Sequence, residues 1–372
     1  MKENRSSEIL FPEVITYSFD YQQKHLWRCR YTSIGSKSLH YKMLLPLSVK
    51  PVNIEPEPIK GLHGFYSIGR YQTVSESEFP FMETEVVYEY ITNDIDASDW
   101  LDYILLLLEE EVIHRKDYYS VGGKYSDVLT KNNSDGKVVI SRIRVFKNYD
   151  FERKGANLIL VKASCPLVSY ESLAEYLLHC VKFFTLINDS GWHLAEELKS
   201  ININSPTSHS FYYPASWQYT ERYNNKKMSY HSLFLKQENK TNGIIDSYFL
   251  CQDVAIEKEQ ICQLIFSELK EKGYSEIEPP LLKEIKIIFN KNIAELWTWE
   301  IKVNDAKNRE CILVVFAGKV QKNWFYVIGT LKSKKQDFKL STAGKRAIDI
   351  VLNSLNNYEL VYEEKFYEEQ VT

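Results

Sequence analysis

The chain carries one order of predicted elements twice. An amphipathic helix, a set of strands and a closing amphipathic helix occur in the first half, and the same order returns about 160 to 170 residues later. Strands follow one another directly before each closing helix, which favours an α+β architecture over strict alternation of strand and helix. With 372 residues, the chain is long enough for two cores. We therefore predict two tandem α/β-sandwich domains, each a twisted antiparallel sheet packed by helices.

Four amphipathic helices mark the repeat. Apolar residues at i, i+3 and i+4 spacing predict them at 97–112 and 170–186 in the first half, and at 255–272 and 341–355 in the second. Gly273 is expected to end the third helix, because glycine readily takes the left-handed conformation found at helix C-termini.

Strands are predicted between the helices of each pair. Alternation of apolar and polar residues at 139–146 and 296–303 indicates half-buried antiparallel strands. The short apolar runs 158–163 and 311–317 indicate central strands, and 323–331 indicates a further strand.

The linker and the C-terminus carry their own signals. The polar, turn-rich stretch 200–210 indicates a domain boundary. The expected domains are 1–200, with an N-terminal extension, and 205–372, with an acidic tail from Glu359. Three prolines within 50–60 predict an exposed extended loop there.

Composition narrows the partners and the location. A net charge of -4 offers no basic surface, so nucleic acid is not an expected partner. No apolar run is long enough to span a membrane, and the N-terminus lacks the apolar region of a signal peptide. The six cysteines form no CxxC pair and are expected to be free, mostly buried thiols of a cytoplasmic protein, with Cys180 and Cys262 packing beside helix stripes.

A search for catalytic and cofactor motifs finds none. The glycines at 122–123 lack the rest of a P-loop, and the histidines lack metal-binding spacing, so no cofactor and no metal are expected. His63 lies between two glycines and is interpreted as a turn histidine. Capping and the helix dipole account for the carboxylates around the start of the first helix: Asp94, Asp96, Asp99 and Asp102.

Aromatic residues make up 14% of the chain. Tyrosine and tryptophan are enriched at recognition surfaces, but a core of this size also uses them as filler. Trp297 and Trp299 share one strand face and are interpreted as core residues. Tyr213 and Trp217 crowd the start of the second repeat, and for the tyrosines both interpretations stay open.

One short segment in each half resembles a known family. Residues 211–217, Phe-Tyr-Tyr-Pro-Ala-Ser-Trp, are similar to the opening strand of the PsbP-like superfamily. Residues 44–48, Leu-Leu-Pro-Leu-Ser, resemble the same opening, with Val49 in place of the tryptophan. Together with the order of elements, they resemble the DcrB-like branch, which includes the Eag chaperones of type VI secretion. The resemblance covers 38–188 and 210–358, and the proline-rich insertion departs from it.

The resemblance implies a non-enzymatic, cytoplasmic adaptor or chaperone. Members of this shape present the face of a sheet to another polypeptide, such as a secretion-system effector with apolar helices. Four of the candidate residues are expected on the outward faces of the mid-repeat strands. The residues expected to bind the partner are Arg142, Arg144, Tyr213, Trp217, Thr298 and Glu300.

Two other functional classes stay open. An immunity-type or scaffolding subunit would bind one protein partner tightly through charged edges. A hydrolase or transferase would assemble its site from scattered residues such as His63, Asp99 or Cys165, and it would need a polar cleft with a perturbed pKa. The absence of motifs favours the two binding classes over the enzyme.

Overall fold

The computed structural model describes most of the chain. The described residues are 9–32, 35–120, 123–134, 136–203, 208–224, 227–237, 240–250, 256–274, 283–284, 290–304, 309–320 and 323–356. They fall into two compact units: unit 1, residues 9–92 and 96–195, and unit 2, residues 93–95 and 196–356. The domain ranges 1–200 and 205–372 stay a prediction. The acidic tail from Glu359 lies outside the described residues.

Unit 1 contains three α-helices, a 3₁₀ turn at Lys37–Leu39 and eleven strands among its described residues. The elements are α1 (Phe19–His25), β1 (Leu26–Tyr31), β2 (Tyr41–Pro46), β3 (Val49–Asn53), β4 (Glu57–Pro58), β5 (Phe65–Thr73), β6 (Glu83–Ile91), α2 (Ala97–Leu107), β7 (Glu111–Ser120), β8 (Gly123–Ser134), β9 (Lys137–Asp150), β10 (Gly155–Pro166), α3 (Leu167–Lys182) and β11 (Thr185–Leu186).

Unit 2 contains two α-helices and nine strands among its described residues. The elements are β12 (Leu198–Ile203), β13 (His209–Pro214), β14 (Trp217–Asn224), β15 (Met228–Gln237), β16 (Lys240–Leu250), α4 (Lys258–Glu271), β17 (Lys283–Glu284), β18 (Ile293–Asn304), β19 (Glu310–Val320), β20 (Asn323–Lys332) and α5 (Phe338–Ser354).

The large sheets of the two units have the same strand order. It is β3-β5-β6-β10-β9-β8-β7 in unit 1, with β4 also paired to β5, and β14-β15-β16-β20-β19-β18-β17 in unit 2. Each unit also has a small sheet, β1-β2-β11 in unit 1 and β12-β13 in unit 2. The pairings are antiparallel, which confirms the predicted α+β class with antiparallel sheets.

Helices cover both faces of each large sheet. In unit 1, Ile159 of β10 packs in the cluster that contains α3, whereas its neighbour Leu158 lies opposite Glu89, the partner of Trp100 in α2. Neighbouring residues of a strand point to opposite faces, so α2 and α3 lie on opposite sides of the sheet. Unit 2 has the same layering, because apolar residues of its sheet form one cluster with α5 and a second with α4.

Two helices of the first half end earlier than predicted. The helix expected at 97–112 ends at Leu107, because Glu109 takes a left-handed φ of 53° and the chain turns into β7. Val112 therefore lies in a strand, not on the helix stripe. The helix expected at 170–186 ends at Lys182, and Leu186 pairs with β2 instead.

The helices of the second half are close to prediction. The third begins at Lys258 and ends before Gly273, whose φ of 91° confirms the expected stop. Leu264, predicted on its buried stripe, is exposed. In the fourth, Ala347, Ile350 and Val351 are buried as predicted.

The predicted strands are largely confirmed, with one correction. The apolar runs 158–163 and 311–317 lie in β10 and β19, which are internal strands of their sheets. The expected loop at 50–60 instead contains parts of the short strands β3 and β4, which pair with β5. Proline is tolerated there because β3 and β4 are short strands at the edge of the sheet, where they pair only with β5.

The described cysteines are free thiols, as predicted. Cys29, Cys165, Cys180 and Cys311 are buried, and Cys262 is half-buried. Burial raises the pKa of Cys165 and that of Cys180 to about 12, so both thiols stay protonated near neutral pH.

Unit 2 buries two histidines on the α5 side of its sheet. The rings of His209 and His231 lie against Phe249, with centroids 4.8 and 6.2 Å away. Nδ1 of His209 accepts from the Asn356 amide at 3.1 Å, and Nδ1 of His231 lies 2.8 Å from the Tyr219 hydroxyl. Burial lowers the pKa of His209 from its ordinary 6.5 to about 4, and burial also lowers the pKa of His231.

We expect His209→Phe to reduce the acid sensitivity of unit 2. The folded pKa of His209 lies below its unfolded pKa, so the unfolded chain binds the proton first as the pH falls. Stability present above pH 6.5 is therefore lost toward pH 4, by up to about 3 kcal/mol for this group. Urea unfolding at pH 7.5 and pH 4.5 measures the loss. The exposed turn variant His63→Gln is the control, and an equal loss in wild type and His209→Phe would contradict the prediction.

Candidate polypeptide-binding groove

An extended N-terminal arm, residues 9–18, lies across the α3 side of the unit 1 sheet. It contains neither helix nor strand, and Ile9, Phe11 and Tyr17 pack against the core cluster formed by α3 and the sheet. The arm contacts β7, β9 and α3, and we call the channel between these elements the arm groove.

Side chains of the groove bind the main chain of the arm. His114 of β7 donates through Nε2 to the carbonyl of Ile9 at 2.9 Å. Tyr170 donates to the carbonyl of Leu10, and Arg142 donates to that of Pro12. Main-chain carbonyls are present in every polypeptide, so these contacts do not depend on the sequence of the bound segment.

The distal part of the arm is held by one carboxylate of α3. Glu175 accepts from the backbone N–H groups of Thr16 and Tyr17 at 2.5 and 2.8 Å, and from the Thr16 hydroxyl at 2.6 Å. Burial raises the pKa of Glu175, but these hydrogen bonds outweigh it and leave the pKa below its ordinary value. The carboxylate is therefore charged when it holds the arm.

The arm also places two side chains in specific positions. The Phe11 ring lies 4.2 Å from the Arg142 guanidinium carbon and stacks on His114 at 5.4 Å. Glu13 pairs with Lys116 at 2.8 Å. The segment of its own chain that the groove binds thus contains an aromatic residue, a proline and an acidic residue in succession.

A buried ion cluster forms the floor of the groove. Arg142, only 2% exposed, donates from Nε and Nη2 to the carboxylate of Asp127 at 3.0 Å each. Arg144, which is half-buried, donates to the same carboxylate at 2.6 Å. The predicted outward orientation of Arg142 is wrong, because β9 is an internal strand and the arm covers this residue.

The same place in unit 2 is occupied by different side chains. We match the turn after Pro46 in unit 1 to the turn after Pro214 in unit 2. Following the strand register outward from these turns then gives the equivalent positions of the two large sheets. The corresponding residues are Arg142 and Val314, Arg144 and Phe316, Asp127 and Thr298, and Leu129 and Glu300. Arg142 and Arg144 thus lie on β9, which matches β19, whereas Thr298 and Glu300 lie on β18, which matches β8, so the residues predicted in the two halves lie on neighbouring strands and not on equivalent ones.

Unit 2 is more exposed at this place. Glu300 is exposed and pairs with Lys345 of α5 at 2.7 Å, and an exposed ion pair of this kind adds little stability. Thr298 is half-buried and donates to the carbonyl of Val315 at 3.1 Å. Thr298 and Glu300 thus lie at the surface as predicted, and their role in partner binding stays a prediction.

The other two candidate residues lie in the core of unit 2. Tyr213 is 7% and Trp217 is 1% exposed, and both belong to the cluster that contains α5. Their burial contradicts a place on an accessible binding surface. The reason is that β13 packs against α5, and that the Trp217 indole lies against Gly243 of β16. Trp297 and Trp299, predicted in the core, are half-buried against the cluster that contains α4.

Of the residues considered for a hydrolytic site, Asp99 is half-buried in α2, whereas Cys165 and His63 do not have the required environment. Cys165 is buried with a raised pKa, and His63 is exposed in a turn. Asp94 binds Arg346 at 2.9 Å, and Asp96 is the N-cap residue of α2 but makes no side-chain capping bond, contrary to expectation. Within the described ranges, no group of three or more His, Cys, Asp or Glu could hold a metal ion.

No helix in the described part of the chain is long and apolar enough to span a membrane.

The comparisons with known proteins find similarity in structure alone. No protein-family model and no curated protein matches the chain. Similar solved structures include LpqN, involved in cell envelope biogenesis of Mycobacterium tuberculosis, at 13% identity and a TM-score of 0.30 over 45% of this chain and 96% of that one. A chain of the Tle4-Tli4 complex is 8% identical with a TM-score of 0.19, over 88% of this chain and 96% of that one. The T6SS immunity protein TplEi from Pseudomonas aeruginosa, complexed with an "L" peptide, is 9% identical with a TM-score of 0.20, over 88% and 97%.

These TM-scores are below 0.5, so we draw nothing about function from them. The resemblance to the PsbP-like superfamily stays a prediction.

Proposed function

We propose that this protein is a non-enzymatic adaptor or chaperone that holds an extended segment of another polypeptide, such as a secretion-system effector. The observation that carries this proposal is the arm groove, in which His114, Arg142 and Tyr170 donate to three main-chain carbonyls of the arm. A groove that binds main chain through side-chain donors suits a range of clients, because the shared backbone supplies the contacts.

The arm is the groove's own occupant and competes with a partner. A bound partner must displace it, so the apparent affinity is reduced by the fraction of molecules whose arm is released. The identical strand order of the two large sheets supports the further proposal that the units are tandem copies of one fold. Under that proposal, the place of Thr298 and Glu300 in unit 2 is a second binding surface.

A full-length double variant, Phe11→Ala with Glu13→Lys, tests the groove. It removes the contact of the Phe11 ring with Arg142 and the ion pair of Glu13 with Lys116, while leaving the groove residues intact. We expect it to bind a labelled peptide of residues 9–18 at least about tenfold more tightly than wild type does, measured by fluorescence anisotropy. Phe151→Ala with Glu152→Lys, both exposed in the turn after β9, is the matched control. Equal binding by all three proteins would contradict the proposal.

A pull-down from the source cells tests whether the groove binds a partner protein. Tagged full-length Phe11→Ala/Glu13→Lys protein should recover more of one stoichiometric polypeptide than wild type or the matched control does. A soluble toxin as that partner would favour the immunity-type role. Capture that is unchanged by releasing the arm would place the binding surface elsewhere and exclude the groove.

A further inference from the structure

The arm groove binds one pair of neighbouring arm residues, Thr16 and Tyr17, through their backbone and their side chains together. Two other arm residues, Leu10 and Val14, are 55% and 71% exposed. The groove therefore distinguishes among the residues of the arm. We call the place that holds the pair the Thr-Tyr site. It is formed by residues of α1 and α3, which are Tyr21, Gln22, Glu175, Tyr176 and His179.

The backbone contacts of the Thr-Tyr site require two successive residues that have an N–H group. Oε1 of Glu175 accepts from the N–H groups of both Thr16 and Tyr17, at 2.5 and 2.8 Å. The side-chain amide of Gln22 donates to the carbonyl of Tyr17 at 2.9 Å. Proline has no backbone N–H group, so a segment that binds in this way cannot contain proline at either place.

The other carboxylate oxygen of Glu175 selects a hydroxyl group at the first place of the pair. Oε2 accepts from the Thr16 hydroxyl at 2.6 Å. A hydrogen bond to a charged acceptor is roughly twice as strong as one between neutral groups. An aliphatic side chain at this place would remove that donor from the carboxylate. The site therefore favours serine or threonine there.

The second place of the pair is built for an aromatic ring. The Tyr17 ring stacks on His179, with the centroids 5.5 Å apart and the planes 13° from parallel. The rings of Tyr21 and Tyr176 lie 4.5 and 5.2 Å from it, and their hydroxyls are joined to each other at 2.7 Å. Burial among these rings raises the pKa of Tyr17 to about 12. Ring faces and edges at these distances match an aromatic side chain in particular.

The walls of this aromatic place are themselves held by neighbouring rings. His179 is fully buried and stacks on Phe183 at 5.3 Å, and Tyr176 meets the edge of Phe79 at 5.2 Å. Neither ring nitrogen of His179 has a hydrogen-bond partner in the described part of the chain. Burial lowers the pKa of His179, so its ring is neutral at pH 7. A neutral, fixed imidazole presents an aromatic face to Tyr17.

We propose that the Thr-Tyr site gives the arm groove its specificity, by selecting partner segments in which a serine or threonine is followed directly by an aromatic residue. This inference rests on the proposed function, because the partner segment takes the place of residues 9–18. The contacts of His114, Arg142 and Tyr170 with carbonyls hold any extended segment. The Thr-Tyr site adds the contacts that depend on the sequence of that segment.

The test compares labelled peptides on one host protein. The host is the full-length Phe11→Ala/Glu13→Lys variant, and the reference probe is the peptide of residues 9–18. Changes made in the peptide leave the folding of the host untouched. The arm of the host competes equally with every peptide, so the ratios of the affinities report the peptide changes alone.

Two changed peptides and one control peptide measure the specificity. Thr16→Val removes the hydroxyl at nearly constant shape, and Tyr17→Ala removes the ring. We expect each to weaken binding at least about tenfold in fluorescence anisotropy. Val14→Ala is the matched control, because the Val14 side chain is 71% exposed, and it should change the affinity less than about twofold.

A change in the host tests the part played by the carboxylate. Glu175→Gln, added to the same host, should reduce the difference between the reference and Thr16→Val peptides to less than about threefold, because the hydroxyl no longer meets a charged acceptor. A difference that persists in this host would overturn the role of Glu175. Equal binding of the reference, Thr16→Val and Tyr17→Ala peptides would overturn the inference and leave a groove that binds without regard to sequence. Binding of none of the peptides would overturn the proposed function and the inference together.

Discussion

Asp127→Ala is expected to lower the free energy of unfolding of unit 1 by about 3–5 kcal/mol, because it leaves a buried arginine without its counter-ion. Asp127 accepts two hydrogen bonds from Arg142 and one from Arg144. Arg142 cannot reach water, since the arm covers it and its remaining bond goes to the carbonyl of Pro12. Urea unfolding at pH 7 measures the change.

Two further variants separate this effect from a generic loss of charge. Glu83→Ala breaks the ion pair with Arg70, which is half exposed, and should cost no more than about 1 kcal/mol. Asp127→Thr/Arg142→Val installs the pair that unit 2 carries and should recover most of the stability. A loss below 1 kcal/mol for Asp127→Ala would mean that the arm opens and lets water reach Arg142.

Trp217→Val is expected to destabilise unit 2 by about 3 kcal/mol through the cavity it leaves. The indole fills the space above Gly243, where an added Cβ would lie 3.1 Å from its ring. In unit 1 the matching residues are Val49 for Trp217 and Met82 for Gly243, so the large and the small side chain are exchanged. Both side chains are fully buried. The two units thus fill the same volume from opposite strands.

A double-variant cycle tests this exchange of volume. Gly243→Met alone should destabilise the protein, because the new side chain meets the indole. Trp217→Val/Gly243→Met should be more stable than either single variant, since the methionine enters the space that the indole leaves. Additive losses, measured by urea unfolding, would show that the two positions do not share one cavity.

The sequence predicted the helices better than their ends. The run from Leu101 to Val112 keeps the helical spacing of apolar residues, so periodicity alone continues the helix into the strand. The chain turns at Glu109, and glutamate is not a residue type that predicts a turn. At the matching turn of unit 2 the residue is Gly273, and glycine does predict a helix end. The apolar residues at this turn therefore misled the prediction.

The sequence predicted the groove strands but not the groove. Alternation along 139–146 and 296–303 correctly indicated strands, and it placed Arg142 and Thr298 on the polar faces. Alternation does not tell whether a polar face meets water or another part of the chain. The arm that covers Arg142 comes from residues 9–18, more than a hundred positions away, and nothing in that segment signals its destination.

The sequence by itself determined most of the helices and strands and their antiparallel α+β class. These follow from local periods of 3.6 and 2 residues and from turn chemistry, which each segment carries alone. Only the tertiary structure decided that Arg142 is buried beneath the arm, that Tyr213 and Trp217 lie in the core, and that Leu106, Leu107 and Leu108 are exposed. Burial depends on which distant segments pack together, and the energy of those contacts is not encoded in any one stretch of chain.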